Sequence, residues 1–297
     1  MTTSIHKTVL LNETIEGLNL QPKSVVMDCT FGGGGHSAEI CKRYSGVKII
    51  ALDQDKSAFS KAKNKFEGLN CNITFVNTNF KDLDKAESKE VDGIIFDLGL
   101  SSDQLENSGR GFSFMKDEPL LMTMKENPRA EDLTASDVVN SWGEKSLADI
   151  IYGYGEERFS RRIAKGIVDA RQKKEIKTTF ELVKIIGDCV PATYRRGRIH
   201  FATRTFQALR IAVNDELGVL KIGLEKGFKL LKVGGRMSVI SFHSLEDRVV
   251  KKFYKEMERE GFAKLINKKP IIATAEEIKN NPRSRSAKLR VLEKIES

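Results

Sequence analysis

The sequence predicts an α/β protein with a doubly wound, mainly parallel sheet interrupted by one long helical insertion. Three observations carry this. Short apolar runs rich in β-branched residues alternate with polar, helix-patterned stretches. Three of those runs end in an aspartate. More than a hundred residues separate the fourth run from the fifth, where a crossover needs only a few tens.

The strand-like runs lie at residues 24–28, 47–53, 73–77 and 91–97, with helical patterns at 37–44 and 57–66 between them. Asp28, Asp53 and Asp97 close their runs, and ligands of open parallel sheets bind just beyond the strands' carboxyl ends. Three carboxylates are therefore expected to converge. The insertion is placed at 103–202, with the core at 1–102 and 203–297. Inside it Thr134-Ala-Ser-Asp137 and Thr178-Thr-Phe-Glu181 read as capping boxes. Phe159, Ile163 and Ile167 form an apolar stripe beside Arg158, Arg161, Arg162 and Lys165. A crossover helix at 205–231 then closes on Gly234 and Gly235, ahead of a fifth strand at 235–241.

With 297 residues, 40% hydrophobic and 31% charged, the chain is long and apolar enough for a buried core, which excludes a disordered or collagenous protein. No apolar run approaches the roughly 18 residues of a membrane helix, and the first seven residues carry no signal pattern. A cytoplasmic protein is expected. The excess of 50 Lys and Arg over 41 Asp and Glu favours a polyanionic partner. Cys29, Cys41, Cys71 and Cys189 show no metal-like spacing and are read as buried thiols.

After the first strand comes Asp28-Cys-Thr-Phe-Gly32-Gly-Gly-Gly35-His36-Ser37. Glycines let backbone turn sharply against a ligand, and the helix that follows offers its N-terminus to an anion. The glycines alone leave NAD and S-adenosylmethionine open. Asp28, four residues before Gly32, gives Asp-x-x-x-Gly-x-Gly, which resembles the first motif of Rossmann-like methyltransferases.

Longer blocks follow in fixed order: His6-Lys-Thr-Val-Leu-Leu-Asn-Glu13, Asp97-Leu-Gly-Leu-Ser-Ser102, Arg110-Gly-Phe-Ser-Phe-Met115, Gly155-Glu-Glu-Arg-Phe159, residues 202–216, Ser241-Phe-His-Ser-Leu-Glu-Asp-Arg248 and residues 281–290. The chain resembles the ribosomal RNA small subunit methyltransferase H family, also called MraW, over nearly its whole length. The resemblance implies a class I methyltransferase core with an inserted helical domain. It also implies S-adenosylmethionine as cofactor and methylation of a cytidine N4 in the decoding region of small-subunit rRNA, or of the small ribosomal subunit. Cofactor contacts are implied at Gly34, Gly35, His36, Asp53, Phe80, Asp97 and Gln104. In one segment this chain departs from the family, which typically reads Pro-Leu-Asp-Met-Arg-Met-Asp; here it is Pro119-Leu-Leu121-Met-Thr123-Met-Lys125.

Methyl transfer needs alignment rather than a metal or a nucleophilic triad. The cytosine amine is a poor nucleophile, so an acceptor for its proton helps. Asp97 is the first candidate and His243 the second. Phe112 or Phe114 could receive an unstacked base. Arg195, Arg196, Arg198, Arg204 and Arg210, interleaved with Tyr194, Phe201 and Phe206, suit phosphates, with Arg283, Arg285, Lys288 and Arg290 as a second patch. A methyltransferase with another nucleic-acid target, a non-catalytic rRNA-binding assembly factor and an NAD-dependent oxidoreductase are the competing readings.

Overall fold

A computed structural model describes residues 7–87, 89–126 and 128–296, so His6, which opens the first motif, lies outside the described residues. The chain divides into two compact units, one running up to Gly99 and resuming at Leu217, the other Leu100–Glu216.

The first unit is built as α1 (Leu11–Leu18), β1 (Val25–Asp28), α2 (Gly35–Arg43), β2 (Lys48–Asp53), α3 (Lys56–Ala62), β3 (Asn72–Asn77), α4 (Leu83–Ala86) and β4 (Val91–Asp97). Its strands run parallel in the order β3-β2-β1-β4. Alternate residues of each strand serve opposite faces, as the period of two requires. Met27, Ile50, Leu52, Ile94 and Phe96 enter one core, and Val26, Ile49, Ala51 and Ile95 enter the other with Ile15, Leu18 and Ile40. Burial on both faces is the reason the β1, β2 and β4 runs are largely apolar, while β3, at the sheet edge, is half-exposed.

The second unit holds α5 (Ser102–Glu106), α6 (Ala135–Ser141), α7 (Glu144–Gly153), α8 (Ser160–Arg171), α9 (Thr179–Cys189), α10 (Ala192–Arg195) and α11 (Thr203–Asn214). Both expected capping boxes form, with Thr134 and Thr178 each accepting from the backbone three residues on. Ile163 and Ile167 are fully buried with Ile151, Leu182, Ile186 and Leu209.

The chain returns to the first unit through α12 (Glu216–Leu230), β5 (Leu231–Ser241), α13 (Ser244–Arg259), β6 (Ala263–Leu265), β7 (Ile271–Ile272), α14 (Ala275–Asn280) and β8 (Lys288–Lys294). β5 extends the parallel sheet beyond β4, and β8 pairs antiparallel with β5, β6 and β7.

Five expectations are corrected. The crossover is two helices broken at Asp215, whose φ is 47°, and α11 belongs to the second unit because Phe206, Ala208 and Leu209 are buried in its core. The fifth strand starts at Leu231 rather than Gly235, with Gly234 and Gly235 inside a bulge where the register against β4 shifts. Cys41 and Cys71 are joined in a disulfide, their Cα atoms 5.5 Å apart, while Cys29 and Cys189 are free. In the second basic patch, Arg290 is buried and fixed on Asp247 at 2.7 Å, and Lys288 reaches the same carboxylate at 3.4 Å. Phe112 is buried in the second unit's core, with the Arg110 guanidinium over its ring at 5.5 Å, so it has no face to offer a base.

In Gly155-Glu-Glu-Arg-Phe159 the glycine is fixed by backbone on two sides: an added Cβ would lie 2.5 Å from the carbonyl oxygens of both Arg204 and Ile151. Gly155→Ala is expected to cost about 2–3 kcal/mol. Gly153→Ala, with nothing within 4 Å of its Cβ, should be neutral or stabilising. Urea unfolding followed by Trp142, the chain's one tryptophan, which packs on this core, measures both.

Candidate active site

The strand order brings the three aspartates abreast. Asp28 pairs with Ala51 on one side and Ile95 on the other, so Asp53 and Asp97 each extend two residues beyond it. The loop leaving β1 between them is tied to all three. Ser37 donates its hydroxyl to Asp28 Oδ2 at 2.6 Å, the Gly32 N–H donates to Asp53 Oδ2 at 2.7 Å, and the Asp97 N–H donates to Thr30 Oγ1 at 2.6 Å.

The glycines divide by role. Gly34 has φ +69°, and an added Cβ would meet Phe31 Cζ at 2.6 Å, so this position requires glycine for conformation and packing. Its own N–H donates to the Phe31 carbonyl at 2.7 Å, which takes that donor away from the ligand contact implied for Gly34. Gly35 is the first residue of α2 and is crowded by Thr8. Around Gly33 a Cβ would meet only Lys65 Nζ, at 3.7 Å. Phe31 anchors the loop among Phe59, Phe66 and Phe75, with ring centroids 5.4–5.9 Å away.

Burial dominates the electrostatics. It pushes the Asp28 carboxyl up to about 6 against hydrogen bonds from Ser37 and Thr30, and it raises Asp53 as well. Asp97 is pushed up to about 8, by burial first and then by the negative charges of Asp28 and Glu246. Its side chain is still 24% exposed, and His36 Nδ1 stands 3.7 Å from its Oδ2. Among the described residues, no lysine or arginine pairs with any of the three aspartates.

His243 is the N-cap of α13: its Nδ1 accepts from the Glu246 N–H at 3.4 Å while Glu246 Oε2 accepts from the N–H of Phe242 at 2.8 Å. The imidazole thus has a structural task beside the candidate chemical one. Phe80, one turn past β3, packs edge-on to Phe96 at 5.4 Å and against Gly223. Gln104 lies in the other unit, where it caps α5: its Oε1 accepts from the Ser101 N–H at 3.0 Å.

Of the arginines expected on phosphate, Arg195, Arg196 and Arg198 are exposed in and after α10. Arg204 donates to the Glu156 carbonyl at 3.0 Å, holding the turn before α8. Arg210 is half-buried against Glu216 at 2.9 Å, which removes it from a phosphate surface.

Residue-by-residue reading of the sequence passes over Glu246 and Thr30. Both stand within the motifs; Glu246 follows His243 at capping-box spacing, and that is its one local signal.

Together the site offers an anion the positive end of α2 and offers a cation a cluster of acids that, among the described residues, no lysine or arginine pairs with. A ligand carrying both a carboxylate and cationic centres fits this donor set.

The raised carboxyls set the direction of a stability change. A group whose pKa rises on folding stabilises the fold below its unfolded value and loses that contribution as pH rises through the folded value. For Asp97 the loss runs from about 4 to about 8. In the absence of cofactor, Asp97→Asn should therefore melt higher than wild type by about 3–5 °C at pH 9, with the advantage shrinking toward pH 5. Differential scanning fluorimetry across that range measures it.

The sequence profile of the MraW methylase family matches residues 3–295. Ribosomal RNA small subunit methyltransferase H of Clostridium botulinum (strain Kyoto / Type A2) is 47% identical over 310 residues, covering 98% of this chain and 99% of the relative. The enzyme of the same name from Limosilactobacillus fermentum is 44% identical over 314 residues, covering 98% of both. Among solved structures, an rRNA methylase from Streptococcus thermophilus aligns over 99% of this chain and 100% of that one, at 13% identity and a TM-score of 0.46. By its full-length match to the family profile and to these curated relatives, the chain belongs to the MraW methylase family.

Proposed function

We propose that the protein transfers a methyl group from S-adenosylmethionine to the exocyclic N4 of a cytidine in the decoding region of small-subunit rRNA, within the cytoplasm. Membership of a methylase family and relatives named for small-subunit rRNA support the reaction class and substrate. The observation that carries the chemistry is Asp97 at the end of β4, a carboxyl that among the described residues pairs with no lysine or arginine and has the His36 imidazole 3.7 Å away.

S-adenosylmethionine supplies a methyl carbon already activated toward displacement. The chain's own residues bind, orient and manage a proton. The N–H groups opening α2, Gly35 and His36 among them, would hold the carboxylate of such a ligand. Asp53 keeps lone pairs beyond those taken by the N–H groups of Gly32 and Asp55, and these accept from hydroxyls. Phe80 adds an aromatic ring near the end of β3. Asp97 accepts the hydrogen bond of the cytosine amine and then its proton, which favours the sp³ nitrogen forming as the ring loses its share of the lone pair. His243, capping α13 two residues past β5, supports the end of that strand beside β4.

The decisive assay incubates the protein with radiolabelled S-adenosylmethionine and either unmodified small subunits or protein-free rRNA, then identifies the labelled nucleoside. Label in N4-methylcytidine is expected, and the better substrate tells whether an assembled particle is recognised. Label in another nucleoside, or none despite cofactor binding, overturns the assignment of the base.

Asp97→Asn separates proton acceptor from cofactor ligand. Turnover should fall at least about 100-fold with cofactor affinity preserved, while loss of cofactor binding alone removes the acceptor role. In wild type, kcat/KM for the cofactor should rise with pH and level off above about 8, because the free protein's Asp97 holds its proton below that value.

A further inference from the structure

Two basic stretches of the second unit, residues 158–165 at the start of α8 and 195–198 in and after α10, are brought together by one aromatic pair. Phe159 and Tyr194 meet edge to face, their centroids 5.0 Å apart at 74°. The Arg158 guanidinium lies over both rings, 4.8 Å from Phe159 and 5.0 Å from Tyr194, and Arg162, one turn along α8, lies over Phe159 at 5.7 Å. The rings themselves are anchored. Fully buried Glu157 accepts from the Tyr194 hydroxyl at 2.5 Å and from the Phe159 N–H at 2.8 Å, which ties α10 to the start of α8. Arg158, Arg162, Arg195 and Arg196 are exposed, and among the described residues none of the four pairs with a carboxylate.

An ordinary surface arginine loses rotamer freedom when it grips an anion. A guanidinium already laid across two anchored rings has lost part of that freedom beforehand, and its N–H edge remains available to the oxygens of a phosphate. The same arrangement disfavours nucleobases, because the guanidinium groups lie over the rings of Phe159 and Tyr194. The neighbouring rings are also engaged within the protein: Phe114 and Phe201 both stack on His200, at 4.4 and 4.3 Å, while Phe114 meets Phe206 and Phe201 lies against Gly187. Unpaired strands are bound by cations together with open ring faces. A double helix turns its bases inward and displays phosphates, so it asks for cations alone. Resting on the RNA-methylating reading, we propose that Arg158, Arg162, Arg195 and Arg196 form a docking surface for the phosphate backbone of a double-helical segment of the RNA substrate.

The test uses the full chain, a blunt RNA duplex of about 16 base pairs and an oligouridine of the same length, with binding followed by fluorescence anisotropy across a salt series. Wild type should bind the duplex more tightly than the oligouridine. Arg158→Gln with Arg162→Gln should flatten the salt slope on the duplex by about one for each arginine, and Arg158→Lys with Arg162→Lys should restore it. Lys145→Gln with Lys173→Gln, which removes the same charge from exposed positions of α7 and the turn after α8, should leave the slope unchanged. In methylation of small-subunit rRNA the arginine-to-glutamine pair should raise KM for the RNA about tenfold at constant kcat. Cofactor affinity and the circular dichroism spectrum check that each variant is folded. A wild-type slope in the arginine-to-glutamine pair, or equal flattening by the two lysine substitutions, overturns the docking surface while leaving the methylation reading in place. Oligouridine bound as tightly as the duplex assigns the surface to unpaired strands, and polyglutamate that displaces the duplex at equal charge assigns it to an acidic protein; either result overturns the proposal. A wild-type protein that neither binds the duplex nor labels rRNA defeats the methylation reading itself.

Discussion

The geometry of the first unit depends on one constraint, the clustering of a buried Asp28 and half-buried Asp53 and Asp97 at the carboxyl ends of β1, β2 and β4 with no lysine or arginine to neutralise them among the described residues. Neighbouring parallel strands lie about 4.8 Å apart, so carboxylates closing adjacent strands oppose one another's ionisation. The fold answers with neutral donors: the Ser37 hydroxyl and Thr30 N–H on Asp28, and the Gly32 and Asp55 N–H groups on Asp53. Asp97 receives no such donor among the described residues and has the most strongly raised pKa of the three. A site arranged in this way holds a reserve of negative charge that a cationic ligand can draw out, because each positive centre brought near lowers the pKa of the acid it faces.

The glycine loop reads differently once this constraint is seen. Four consecutive glycines suggest a backbone opened toward a ligand, yet the clashes that side chains would make at Gly34 and Gly35 are with the protein's own Phe31 and Thr8. The loop is glycine-rich largely because it must fold back over Phe31 while sending the Gly32 N–H to Asp53. Ligand access and internal packing thus place demands on the same residues, and Gly33 has only the end of the flexible Lys65 side chain beside it, which donates to its carbonyl at 2.6 Å.

Residues 24–28, 47–53 and 91–97 are legible as strands to within about one residue because burial on both faces writes a nearly continuous apolar run into the sequence, whereas 73–77, at the half-exposed sheet edge, is legible by its β-branched and aromatic residues. The acid closing three of them is legible for the same reason, as the first charge after each run. What local reading misses is pairing across distance. Lys288 and Arg290 read as a basic patch because Asp247, their shared partner, is about forty residues away in sequence. Cys41 and Cys71 read as separate thiols because the end of α2 and the start of β3 meet only in the folded sheet. His243 reads as chemical beside a strand end, and its capping task emerges only when α13 and Glu246 are in place. The later boundary of the inserted unit has a similar origin: α11 carries an apolar face that either unit could have claimed, and packing against α6 and α7 decides it.

Residues 119–125 show how the inserted unit holds a loop segment in place. Residues 119–125 are held chiefly through backbone: Arg110 donates to the carbonyls of Thr123 at 3.3 Å and Met124 at 3.0 Å, and Asn214 donates to the Met122 carbonyl and accepts from the Met124 N–H, each at 2.8 Å. Hydrogen bonds of this kind do not depend on which side chains stand at 121, 123 and 125. Lys125 finds its own partner in Asp132, and Thr123 accepts from the Lys125 N–H at 3.3 Å. The scaffold of this segment therefore rests on Arg110 and Asn214, whose side chains reach the backbone, rather than on the side chains at 121, 123 and 125.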